Sequence, residues 1–143
     1  MLVSDRAQTA DRLRPVLLRL ARELRREVHA FDLSGHQVSL LSQVEGQPGI
    51  GVSRLAELER VSKPAISAKV DRLVELKLLE RTVADDRRCV GLTVTPAGKK
   101  VLKDVRRRRN AWLDQRLEQL SPKGRAAIAA AIEPLRELLQ ARP

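Results

Sequence analysis

The chain has 143 residues, 43% of them apolar and 32% charged, and it carries a formal net charge of +10. That length fits one domain, or a small domain with an oligomerisation element, and so basic a balance points to a polyanionic partner, nucleic acid first. With Phe31 and Trp112 as its aromatics and Cys89 as its one cysteine, the chain is poorly equipped to stack single-stranded bases or to lie on a membrane, and a disulfide framework and a multi-cysteine zinc site are excluded.

The start, from Ser4 to Arg14, is polar and charged and supplies no secretory core. No apolar run reaches the roughly 20 residues of a membrane span, so a cytoplasmic location is expected. From Ala10 to about Val28, the apolar residues Leu13, Val16, Leu17, Leu20, Leu24 and Val28 recur three and four apart, which marks one face of a helix. Phe31 to Gly35 breaks that pattern, with Ser34 as a cap. A second helix is predicted from His36 to about Glu45, burying Val38, Leu41 and Val44. Gly46-Gln47-Pro48-Gly49 reads as a loop. Val52 to Glu59 forms a short helix with Leu55, Ala56 and Leu58 inward.

Ser62 then caps the next helix, and Pro64 falls in its first turn, where a missing N–H costs nothing. Ile66, Val70 and Leu73 face its core side, followed by Leu76 or the stem of Lys77. Leu78 to Val83 and Cys89 to Val94 read as strands joined by a turn over residues 84–88. Thr95 and Pro96 open a long helix by the cap-then-proline device, and Ser121-Pro122 repeats it for a last helix. That last helix carries Ile128, Ile132, Leu135, Leu138 and Leu139, with a kink expected at Pro134.

The order helix, helix, helix, helix, hairpin, helix, helix predicts an all-α fold with a small antiparallel β-wing. Its long terminal helices have apolar faces without an obvious local partner, which suits a two-fold dimer. The expected division is a dimerisation helix over residues 1–33, a DNA-binding domain over 34–98 and dimerisation helices over 99–143. A helix that starts at a capping serine can lie in a major groove while a basic hairpin reaches the backbone beside it. On that helix Pro64, Ala65, Ala68 and Arg72 point outward with Ser67 at the edge, and Ser62 and Lys63 stand where phosphate is favoured. Small side chains at Ala65 and Ala68 let the backbone approach base edges. On the wing, Arg88 is the candidate for minor-groove insertion, Asp86 for orienting it, and Arg87 for a phosphate contact.

These residues resemble the MarR family of winged helix-turn-helix transcription regulators. Four signatures carry the resemblance in order and spacing: Val-Ser-Arg-Leu-Ala-Glu-Leu from Val52; Val61-Ser62-Lys63-Pro64-Ala65-Ile66-Ser67 leading to Asp71-Arg72-Leu73; Asp86-Arg87-Arg88, which holds the Asp-x-Arg of a wing tip; and Leu92-Thr93-Val94-Thr95-Pro96-Ala97-Gly98, similar to the family's Leu-Thr-Pro-x-Gly junction. The resemblance implies a homodimer on a pseudo-palindromic operator, usually a repressor, weakened in many members by a small phenolic or anionic ligand or by cysteine oxidation. It departs from the family at Glu59-Arg60, where glycine or asparagine is frequent. Positive φ is uncommon off glycine, so a differently shaped turn is expected there. Oxidation-sensing members carry a cysteine in the first helix region, and this chain has none.

The remaining residues are read against plainer roles. Arg106 to Arg109 span all sides of a helix and read as a solvated basic face, with Arg109 a candidate for a carboxylate across the dimer. The arginines of the first helix read likewise, while Lys99 and Lys100 could reach phosphate. Phe31, His36 and Trp112 are the candidate effector-binding residues, set against ordinary capping and packing. His29 and His36 are seven apart with no cysteine near, which gives no zinc-ligand set. Cys89 reads as a small hydrophobe rather than a sensor. No catalytic constellation and no cofactor motif stands out, so an enzyme is not expected. The expected partners are double-stranded DNA, a second copy of the chain and a small aromatic or anionic effector. Two other readings stay open: an architectural DNA-binding protein of low specificity, and an interaction protein that kept the fold without operator binding.

Overall fold

The computed structural model of the chain describes residues 3–83 and 90–140. By contact it divides into a unit of residues 1–108 and a unit of residues 109–143, with the boundary inside a helix.

In the first unit, helix α1 covers Val3–Arg26, starting earlier than the periodicity indicates. Pro15 falls inside it and leaves the Asp11 carbonyl without its intrahelical amide. None of the described side chains of α1 is buried; the core begins at Val28. A 3-10 turn, His29–Phe31, and a left-handed Asp32 (φ 55°) redirect the chain into α2, Gly35–Gly46. Ser34 is its cap as expected. Its Oγ accepts the Gln37 N–H at 3.1 Å while Gln37 Oε1 accepts the Ser34 N–H at 2.8 Å, a reciprocal capping box.

Helix α3 is Val52–Glu59, the predicted bounds, and α4 is Lys63–Glu75. Strands β1, Leu79–Val83, and β2, Val90–Val94, pair antiparallel with Leu79 opposite Val94 and Val83 opposite Val90. Leu76 and Lys77, expected to help line the core side of α4, are exposed; α4 ends at Glu75, Lys77 turns left-handed (φ 63°), and Leu78 and Leu79 enter the core instead.

The loop before α3 has a role that its composition conceals. Ile50 forms an isolated bridge to Leu92, with Gly49 N–H donating to the Leu92 carbonyl at 2.8 Å and Leu92 N–H to the Ile50 carbonyl at 2.9 Å. This rung covers β2 so closely that a Cβ on Gly91 would stand 2.7 Å from the Gly49 carbonyl oxygen. Helices α2, α3 and α4 and the hairpin enclose Leu41, Leu55, Ile66, Leu73 and Leu92, all at most 1% exposed.

Helix α5, Pro96–Glu118, starts where Thr95 Oγ1 accepts the Gly98 N–H at 3.0 Å. Gly98 has to be glycine, since a Cβ there would lie 2.3 Å from the Leu78 carbonyl oxygen. Leu102 and Val105 close the core of the first unit.

In the second unit, Ser121 Oγ accepts the Gly124 N–H at 3.0 Å and opens α6, Pro122–Gln140. The Arg125 guanidinium donates to the carbonyls of Leu117, Glu118 and Leu120, at 3.3, 3.3 and 2.6 Å, and so satisfies the end of α5. Helix α6 runs on through Pro134 and buries none of its residues within the chain. No helix of the described residues is long and apolar enough to cross a membrane.

Candidate nucleic-acid interface

The turn between α3 and α4 decides how α4 is presented. Arg60 takes the left-handed conformation (φ 54°, ψ 43°) that the sequence argues against. Val61 N–H reaches back to the Ala56 carbonyl at 3.1 Å and Arg60 N–H to Glu57 at 3.2 Å, the helix-ending pattern usually closed by glycine. Val61 is partly buried and packs against the core. Burial of Val61 and two carbonyl contacts thus hold an arginine where glycine is the easier choice.

Helix α4 then starts at Ser62, whose Oγ accepts the Ala65 N–H at 3.3 Å, with Pro64 in the first turn. Ile66, Val70 and Leu73 are buried, so the opposite face is fixed outward. Ser62, Lys63, Pro64, Ala68 and Arg72 are exposed, and Ala65 and Ser67 half-buried. The outward strip is small near the capped end and cationic at both ends. Arg72 shares its guanidinium with Glu75 at 3.3 Å. Both partners are exposed, and such a pair gives way readily to a phosphate.

One contact of this region has no sequence signal. Arg81 on β1 ion-pairs with Asp71 on α4 and so ties the hairpin to that helix. Opposite residues share a sheet face, so Arg81 lies beside Leu92 on the inner face. Further along that face, Val83 and Val90 are 65% and 48% exposed, an apolar pair at the far end of the hairpin. Asp86, Arg87, Arg88 and Cys89, the wing residues singled out from the sequence, lie outside the described residues.

The arginine run on α5 is not a uniform solvated face. Arg106 pairs with Glu45 of α2, and Arg108 Nε donates to Glu27 at 2.9 Å. The two carboxylates lie 61 and 81 residues away in sequence, so no local pattern announces them. Arg109 is half-buried, and burial holds its guanidinium below the usual arginine range. Lys99 and Lys100 are exposed.

The candidate effector residues are divided between the two units. Phe31 is half-buried against the core, and His36 is exposed in the first turn of α2. In the second unit, Trp112 is half-buried with the Arg116 guanidinium 3.7 Å from its ring centroid, a cation–π contact. Surface hollows of about 490 and 420 Å³ are lined by other residues: Asn110, Ala111, Leu113, Asp114 and Leu117 in one, Thr9, Arg12, Leu13 and Val16 in the other. Among the described residues, no group of three or more His, Cys, Asp or Glu could hold a metal ion.

Comparison with known proteins agrees with this geometry. The sequence profile of the MarR family matches residues 31–88. An uncharacterized HTH-type transcriptional regulator of Mycobacterium leprae is 31% identical over the whole of both chains. The crystal structure of a Pseudomonas aeruginosa protein assigned to the transcriptional regulators superposes with a TM-score of 0.86 at 27% identity, covering 99% of this chain and 100% of that one. The crystal structure of MarR superposes with a TM-score of 0.73 at 26% identity, covering 89% of this chain and 96% of that one.

Proposed function

Because the chain belongs to the MarR family of winged helix-turn-helix regulators, and is therefore a DNA-binding regulator of transcription and not an enzyme, we propose that it is a repressor. It binds a pseudo-palindromic operator as a homodimer and is released by a small aromatic or anionic effector. Residues 34–98 read the DNA, and residues 1–33 and 99–143 build the dimer.

Within each half-site, α4 enters the major groove. Ser62 and Lys63 meet phosphate at its N-terminus, where unpaired amides and the helix dipole favour an anion. Pro64, Ala65, Ser67 and Ala68 lie against base edges, and Arg72 leaves Glu75 for a base or phosphate. The wing places Arg88 in the minor groove, oriented by Asp86, with Arg87 on the backbone. Affinity arises largely from phosphate neutralisation and falls with salt.

The observation that carries this reading is the two-sidedness of α4: Ile66, Val70 and Leu73 are sealed in the core while the strip from Ser62 to Arg72 is presented to solvent, small and net cationic. The dimer reading rests on apolar side chains left open on α1 and α6, among them Val16, Leu20, Ile128 and Ile132. Selection of bound sequences from random duplex DNA tests it. An inverted repeat with half-sites about one helical turn apart is expected. Equal affinity for operator and random duplex would leave an architectural protein instead. Repeating the selection with a panel of small aromatic acids tests release. Phe31, His36 and Trp112 are the effector-site candidates, to be replaced singly by alanine.

A further inference from the structure

Within the first unit, four exposed cations of α5 gather on one side. At 100° per residue, Lys99, Lys100, Lys103 and Arg107 fall within an arc of roughly 100° and span about 12 Å of helix. All four are exposed, on the side away from the buried Gly98, Leu102 and Val105. Their neighbours Arg106 and Arg108 are engaged with Glu45 and Glu27. No ion-pair partner for the four is found among the described residues; Asp104, half-buried, stands at the margin of the arc. Like charges three and four apart weaken a helix, so the stripe is a cost to the free protein that an anion relieves.

The stripe starts at the base of the wing. Strand β2 leads into α5 through Thr95, whose hydroxyl donates to the Lys77 carbonyl at 2.7 Å, and Lys77 is itself exposed. The cationic line is thus continuous with the elements assigned to DNA contact.

We propose that Lys99, Lys100, Lys103 and Arg107 form a second phosphate-contacting surface that holds the backbone of the duplex just outside the half-site read by α4 and the wing. This rests on the DNA-binding reading and extends its footprint; it carries affinity and salt dependence but no sequence preference.

The test replaces all four residues with glutamine, which keeps helix propensity. A control variant carries Arg6→Gln, Arg12→Gln, Arg19→Gln and Lys123→Gln, with the same loss of charge elsewhere. Thermal melts and light scattering establish that both variants fold and assemble as the parent does. Binding of a 40-base-pair random-sequence duplex is then followed from low to moderate salt. At about 0.9 per phosphate, the log–log slope of the stripe variant is expected to be shallower by three to four, and that of the control by less than about one. Equal changes in the two variants would reduce the stripe to a share of the diffuse charge, and no change in either would remove it; both overturn the proposal. Once a site is selected, the parent is expected to bind it about tenfold more tightly when the duplex extends ten base pairs beyond each half-site, and the stripe variant not at all more tightly. An extension that helps neither protein overturns the flanking assignment. If selection yields no inverted repeat, the operator reading fails while the slope on random duplex still decides the stripe.

Discussion

Residues 28–105 and residues 109–140 use the same apolar periodicity to different ends. Among the described residues, all eighteen members of the buried core belong to the first stretch. In the second, α6 has Ile128, Ile132, Leu135 and Leu139 at helical spacing, yet Ile128 and Ile132 are about half exposed and Leu139 is 88% exposed. Periodicity therefore reports that a helix has an apolar face and is silent about what covers it. Where α2, α3, α4 and the hairpin are joined by short connections, the chain supplies its own cover. For α6 the proposed cover is a second copy of the chain.

The sharpest way to break this contrast is to damage each region in its own currency. Leu55→Ala removes a side chain that is 0% exposed at the centre of the first stretch. It is expected to cost about 2–5 kcal/mol of folding stability, read by chemical denaturation followed by circular dichroism. Ile132→Asp sits where the chain leaves an isoleucine half exposed, so a monomer should tolerate it. If α6 lies in a dimer interface, the variant should instead weaken self-association by about 2–4 kcal/mol, seen as monomers in light scattering and as loss of operator affinity. An Ile132→Asp protein of unchanged mass would take α6 out of the interface.

A smaller effect is expected at the cap of α4. Ser62→Ala removes the acceptor for the Ala65 N–H and should lower stability by about 1 kcal/mol. Because the same hydroxyl stands at the proposed phosphate contact, DNA affinity should fall further than stability alone explains. A loss confined to stability would leave Ser62 a cap and nothing more.

What could be read from the sequence follows the range of the interactions. Ser34, Ser62, Thr95 and Ser121 were legible because a cap acts within three residues, and the proline after three of them sharpens the signal (Pro64 one position later). The outward strip of α4 was legible from the 3.6-residue period once its start was known. Long-range pairs were not: Arg106 with Glu45, Arg108 with Glu27, Arg81 with Asp71, and Ile50 with Leu92 each join segments whose approach is set by the whole core. The i, i+4, i+8 spacing of Lys99, Lys103 and Arg107 was present in the sequence but masked by the four consecutive arginines, whose division of labour only the fold reveals.

Arg60 separates local preference from tertiary demand most cleanly, and its replacement should give the smallest effect. The sequence argues for a turn of another shape, because an arginine pays for positive φ. The chain keeps the left-handed turn all the same, held by Val61 against the core and by amide contacts to Ala56 and Glu57. Arg60→Gly removes the Cβ strain but enlarges the freedom of the unfolded chain. The two effects oppose each other, and a net gain of between zero and about 1 kcal/mol is expected in the denaturation midpoint, since left-handed strain in a non-glycine residue is of order 1–2 kcal/mol. Arg60→Val should lose stability, because a β-branched residue tolerates that conformation least. If valine were accepted as readily as glycine, the turn in solution would not be left-handed. The presentation of α4 would then rest on the Ser62 cap and the buried face of the helix alone.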